Sequence, residues 1–221
     1  MITDHEQIQA SAPQAATDGD ALALRGQLVI YDLLRRLFLT GPAPDLLQAI
    51  AAVDRASLGL PTQLDHDIQQ MQQAVAANLE RLPSWSESLL IEFTRMLVGP
   101  GETPVVPYGS FYLSPTRNLM TEETMGVRAM YLDAGMAVQN LNRIPDDHLG
   151  IELEFLYWLT QQAVAQAGET RARLLEHLDH FLRDHYSRWV PEFADALGES
   201  ATEPFFRTVA AVLKGATLPS Y

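Results

Sequence analysis

Apolar residues recur at helical spacing along almost the whole chain. From Leu22 to Leu39 apolar and polar positions follow that period, and the run stops at Gly41-Pro42. A short helix is expected after Pro44, from Asp45 towards Ala56. Leu64, Ile68, Met71, Val75, Leu79 and Leu82 are spaced four, three, four, four and three, which marks one face of a helix. Ser84 followed by Glu87 reads as a capping box that opens a helix over Ser86 to Val98. Further helices are predicted from about Glu122 to Asn140, from Pro145 to about Ala167, over Glu169 to Tyr186, over Pro191 to Leu197, and from Pro204 to Lys214-Gly215. No alternating run bounded by turn signals suggests a strand. The pattern predicts an all-α fold, a single-domain bundle of about nine helices over residues 21–221, preceded by a flexible tail at 1–20.

Two stretches depart from the amphipathic pattern. In PDDHLGIELEFLYWL, Pro145 to Leu159, apolar residues fill almost every side, which places the helix at the centre of a bundle. It nevertheless carries His148, Glu152 and Glu154 early, and buried charge without a partner is costly. Those groups are therefore paired or sit at the mouth of a groove. Asp146 and Asp147 fit the first turn of the helix, where negative charge meets unpaired N–H groups. The second stretch is GPGETPVVPYGSFYLSPTRNLM, Gly99 to Met120, which reads as non-helical. It is far longer than the roughly 4–6 residues of an ordinary connection. Its prolines stiffen it and its Val, Tyr and Phe residues make it apolar, so it is either a wall of a binding surface or a segment packed over the bundle.

Composition narrows the possible functions. The chain has 221 residues, 47% of them hydrophobic, which is enough to bury a core. No run of about 18 apolar residues suggests a membrane span. The first twenty residues have neither the basic nor the apolar region of a secretory signal. A formal charge of −13 with a single lysine, Lys214, argues against nucleic acid as a partner. The absence of cysteine excludes disulfides, thiolate metal sites and cysteine nucleophiles, and fits a cytoplasmic protein.

Five segments together resemble the TorD/DmsD-type chaperones that mature molybdenum-cofactor oxidoreductases. They are Tyr31-Asp32-Leu33-Leu34 running to Leu37-Phe38, Glu92-Phe93-Thr94-Arg95-Met96-Leu97-Val98-Gly99-Pro100, Pro107-Tyr108-Gly109-Ser110-Phe111-Tyr112, Pro145-Asp146-Asp147-His148-Leu149-Gly150 continuing through Glu152 and Glu154, and His185 with Trp189, Pro191 and Phe193. The resemblance implies an all-helical, cytoplasmic protein without enzymatic activity. Such a protein binds the twin-arginine leader and the body of an apo-molybdoenzyme, delaying export until the cofactor is inserted. It also implies a possible homodimer and a weak contact with GTP or molybdopterin guanine dinucleotide. Carried over residue by residue, the leader site comprises Phe93, Met96, Leu97, Pro107, Tyr108, Ser110, Asp147 and His148. The chain departs from the DmsD-like pattern at Phe93 and Leu97, where tryptophan and phenylalanine are expected, and at Gly101, which replaces an aromatic.

A twin-arginine leader joins two guanidiniums to an apolar stretch, so it calls for carboxylates beside a greasy groove. Asp147 and Glu102 are the expected arginine partners, and Glu154 shares a helix face with Asp147. On that reading Asp147→Asn weakens leader binding without unfolding the protein. Tyr31, Phe38, Tyr108 and Tyr112 are candidates for the apolar part.

Plainer readings remain open for each residue. Asp146 and Asp147 are also ordinary helix-start charges, and His148 is also a core histidine bonded to Glu152. Arg128 and Tyr131 read as an ion pair and a packing ring, and Trp189, Pro191 and Phe193 as a seal of the bundle. The competing function is a metal-dependent helical enzyme built on the His148/Glu152 region. His177 and His180 lie on a charged helix and are expected to be solvated; no Glu-x-x-His pair occurs, nor any phosphate-loop motif. A helical scaffold in a larger complex is a third reading.

Overall fold

The computed structural model describes residues 18–99, 103–136 and 144–217. Among these residues the architecture is all-helical, with no strands beyond one isolated bridge between Tyr108 and His148. The helices are α1 (Asp18–Thr40), α2 (Pro44–Ala51), α3 (Thr62–Ala76), α4 (Leu82–Leu97) and α5 (Gly109–Leu113). They are followed by α6 (Glu122–Asp133), α7 (Leu149–Ala165), α8 (Gly168–Phe181), α9 (Ser187–Ser200) and α10 (Pro204–Gly215). A π-helical turn, Leu182–Tyr186, joins α8 to α9 without a break. No described helix is long and apolar enough to cross a membrane.

The long pair α1 and α7 forms the centre. They run antiparallel, with Arg35 reaching Glu154 at 2.7 Å and Leu39 lying over Gly150. Gly150 permits this approach, because a Cβ there would come within 2.8 Å of Leu39. The apolar stripe of α3 is buried as the spacing requires, at Leu64, Ile68, Met71 and Val75, and packs against α10. An aromatic seam joins the layers: Phe38 meets Phe93 at 6.3 Å and Phe193 at 5.8 Å, and Phe93 meets Phe206 at 6.4 Å.

Several boundaries differ from those the sequence predicts. α1 starts at Asp18, inside the stretch assigned to the tail, while residues 1–17 lie outside the described part. α2 ends at Ala51, short of Ala56. α3 stops at Ala76, where Asn78 turns back to donate its side-chain amide to Ala74 O at 2.7 Å; Leu79 is left 47% exposed. α4 then opens four residues before Ser86, with Pro83 in its first turn, where a missing N–H costs nothing. Ser84 is inside that helix and donates to Arg81 O at 3.0 Å, so no capping box forms. α6 ends at Asp133 with Gly135 at φ +86°, and residues 137–143 of its predicted extension lie outside the described part. Pro145 to His148 form a turn before α7 instead of its first turn. α8 and α9 continue through Pro191, which the sequence reading places at a helix start. The long loop contains a helix of its own, α5.

Candidate functional site

The loop after α4 and the turn before α7 are tied together through their backbones. Leu149 N–H donates to Pro107 O at 2.9 Å, and Gly109 N–H donates to Asp147 O at 2.9 Å. Asp147 then accepts the Ser110 N–H at 2.7 Å through Oδ2, so its carboxylate lies against the first turn of α5. On the other flank, Val105 N–H donates to Met96 O at 3.1 Å and fixes the loop to the end of α4. A segment of low helical propensity is thereby held by side chains and backbone remote in sequence.

These ties create a groove of about 560 Å³ with three walls. The end of α1 supplies Phe38, Leu39, Thr40 and Gly41; α4 supplies Leu90, Phe93, Thr94, Leu97 and Val98; the tied segments supply Pro107, Tyr108, Ile144 and His148. Its rim is greasy: Leu39 is 40% exposed, Leu90 48%, Ile144 42% and Val98 65%. Aliphatic exposure on this scale in one place is the mark of an interaction surface. None of the lining residues carries a formal charge. Burial holds the His148 imidazole down at about 4, against the opposing pull of Asp147. Tyr108, edge-on to His148 at 5.2 Å, is raised by burial and by Asp147.

Five residues of the expected leader site line this groove: Phe93, Leu97, Pro107, Tyr108 and His148. The others sit elsewhere. Met96 is fully buried in the core, and Ser110 is buried with its N–H committed to Asp147. Asp147 is fully buried, so as folded it is not presented to an incoming guanidinium. Glu154 lies farther along α7 and pairs with Arg35, which also bonds Asp32 at 2.6 Å and lies 4.1 Å over the Tyr157 ring. Glu102 lies outside the described residues. Of the aromatics, Phe38 and Tyr108 line the groove, Tyr31 is core, and Tyr112 stacks on Trp189 at 5.6 Å. Sequence reasoning missed Leu39, Thr40, Leu90, Thr94, Val98 and Ile144. The signal available was the triplet Leu89-Leu90-Ile91, which carries more apolar residues than one buried face of α4 can use.

A buried polar cluster is centred on α7. Glu152 bonds His185 Nε2 at 2.7 Å and accepts the Trp189 indole N–H at 3.1 Å. Burial raises the Glu152 carboxyl, and His185 and Trp189 offset part of that rise. His148 does not touch Glu152: its Nδ1 accepts the Gly150 N–H at 3.1 Å and caps α7. The pairing that both the core-histidine reading and the enzyme reading required is therefore absent, because each side chain is committed to other partners. Asp146 is buried against Arg128, and Tyr131 donates to its carbonyl at 2.9 Å, so the ion-pair reading of Arg128 holds. Trp189 and Phe193 are core residues, as the seal reading has it. His180 is exposed and bonds Asp184 at 2.7 Å, while His177 faces Asp133 at 3.8 Å.

The nitrate reductase delta subunit family matches residues 58–195. The chain belongs to this family. The TorD/DmsD resemblance read from the motifs is borne out by individual relatives. The chain is 26% identical over 124 residues to a probable Tat proofreading chaperone DmsD of Haemophilus influenzae, covering 56% of each. It is 28% identical over 123 residues to the Tat proofreading chaperone DmsD of Salmonella typhi, covering 56% of this chain and 55% of that one. It is 23% identical over 142 residues to the chaperone protein TorD of Photobacterium profundum, covering 64% and 65%. The chain thus spans 55–65% of the length of these relatives.

Proposed function

We propose that this chain is a cytoplasmic maturation chaperone, not an enzyme, that holds the twin-arginine leader of a molybdoenzyme precursor. The observation that carries this reading is the uncharged groove with an aliphatic rim, lined by five residues of the expected leader site. The apolar part of a leader, folded as a helix, would bury Leu39, Leu90, Val98 and Ile144 together. Its arginines would meet carboxylates beyond the groove along the α1 side: Asp32, Asp45 and Glu154. Asp32, Asp45 and Glu154 already hold Arg35 and Arg36. The formal charge of −13 favours a cationic partner over the whole surface. Asp147 would act indirectly, by fixing α5 and the Pro107–Tyr108 wall.

The test is calorimetric titration with a synthetic peptide of two adjacent arginines followed by an apolar stretch. Binding that falls at least tenfold when Leu90 and Val98 are both changed to Asp, with thermal stability retained, is the expected result. No binding of any such peptide by the folded chain would sink the reading. The body of the precursor, a guanine nucleotide and a second copy of the chain belong to the same proposal, each read by its own titration. No observation favours the enzyme, because His148 and Glu152 do not meet.

A further inference from the structure

His148 is a partly buried polar group of the groove wall, and its two ring nitrogens have different surroundings. Nδ1 accepts the Gly150 backbone N–H at 3.1 Å. A nitrogen that accepts a hydrogen bond carries no proton, so a neutral ring must carry its hydrogen on Nε2. Among the described residues no acceptor meets Nε2, although the ring lines the groove. The N-capping bond locks the tautomer, and the Tyr108 ring packed edge-on at 5.2 Å holds the orientation. Gly150 is part of the device, since a Cβ there would come within 3.2 Å of Nδ1.

We propose that His148 is a fixed, neutral Nε2–H donor that recognises an acceptor oxygen of the groove's occupant, a backbone carbonyl or a hydroxyl. The inference rests on the leader-binding reading. Neutrality suits a cationic partner, because an imidazolium in the wall would repel arginine. Burial favours the neutral ring, and the groups facing it leave that preference in place. Asp147 precedes it in the chain and pulls the other way; Tyr108 packs across the bridge. Glu152, on the next turn, is committed to His185 and Trp189. The facing parts of α1 and α4 contribute Leu39, Thr40, Phe93 and Leu97, which do not titrate.

The test has two readouts. Nitrogen-15 NMR of the free chain should show His148 protonated at Nε2 alone, with no titration between about pH 5.5 and 8, against an ordinary midpoint of about 6.5. An Nδ1–H tautomer, or a midpoint near that ordinary value, overturns the proposal without reference to any ligand. In the second readout the twin-arginine peptide is titrated against His148→Ser, which keeps a capping oxygen and loses the reach into the groove. Affinity should fall roughly five- to tenfold, the worth of one hydrogen bond, with the melting temperature preserved. Unchanged affinity refutes the donor role while leaving the leader reading intact. Failure of the unaltered chain to bind any leader peptide refutes that reading and the ligand half of this one, whereas the tautomer is decided by NMR alone.

Discussion

Glu92, Asp147 and Glu152 are all buried, yet each carboxylate is held by different donors. Glu92 accepts the Thr202 N–H at 2.5 Å, the Thr202 hydroxyl at 2.6 Å and the Glu203 N–H at 3.1 Å, fastening the turn into α10. Burial alone would raise its carboxyl, but the donors from Thr202 and Glu203, with Arg95, hold it below the ordinary range. A depressed carboxylate contributes stability above its unfolded value and loses it as pH falls through the folded one. His148 adds in the same direction. Its folded value of about 4 lies below the 6.5 of a free ring, so the unfolded chain takes up protons first. Urea denaturation should therefore show stability falling progressively from about pH 6.5 towards pH 4, and the His148→Ser variant should flatten the upper part of that decline. Glu152→Ala removes the acceptor for both His185 and Trp189, and should cost about 3–5 kcal/mol in the same assay at pH 7.

At the scale of elements, the wall of the groove depends on close approaches that single residues allow. Gly150 lies where α1 crosses α7, and an alanine there would press on the end of Leu39 and on the His148 ring. Leu39 is 40% exposed and can rotate away, so Gly150→Ala should cost no more than about 1 kcal/mol. It should still weaken leader binding severalfold, because it disturbs the rim and the cap together; equal affinity would show that the crossing does not shape the site. The π-turn between α8 and α9 works at the same scale. It keeps the long helix continuous, which places His185 and Trp189 on one face towards Glu152. Its cause was not visible in the sequence, where Pro191 reads as a helix start.

Across the whole molecule, greasy groove and acidic surface would divide the work under the proposed function. The groove offers contact area without charge, and the −13 formal charge offers long-range attraction. Screening separates them: raising salt from about 0.05 to 0.5 M should slow association with the twin-arginine peptide and leave most of the groove contribution in place. Stopped-flow association rates, compared with a peptide bearing neutral residues in place of the arginines, read that difference directly. A rate insensitive to salt would remove the acidic surface from the account.

Periodicity and family motifs fixed much of this protein in advance. The 3.6-residue pattern marked the all-α fold, the buried stripe of α3 and the central place of α7, because those properties follow from which side chains water rejects. The motifs brought Phe93, Leu97, Pro107, Tyr108 and His148 to notice, and these converge on one groove. Tertiary structure decided the rest. Five residues are too few for α5 to show a period, and its first turn is held by Asp147, far along the chain. Asp147 and Asp146 read as helix-start charges, but the turn of Pro145 to His148 folds them inward onto α5 and Arg128. Likewise, Glu152 pairs with His185 and not with His148. Helical spacing says which residues share a face, but only the packing of α1, α7 and α9 says which face each side chain meets.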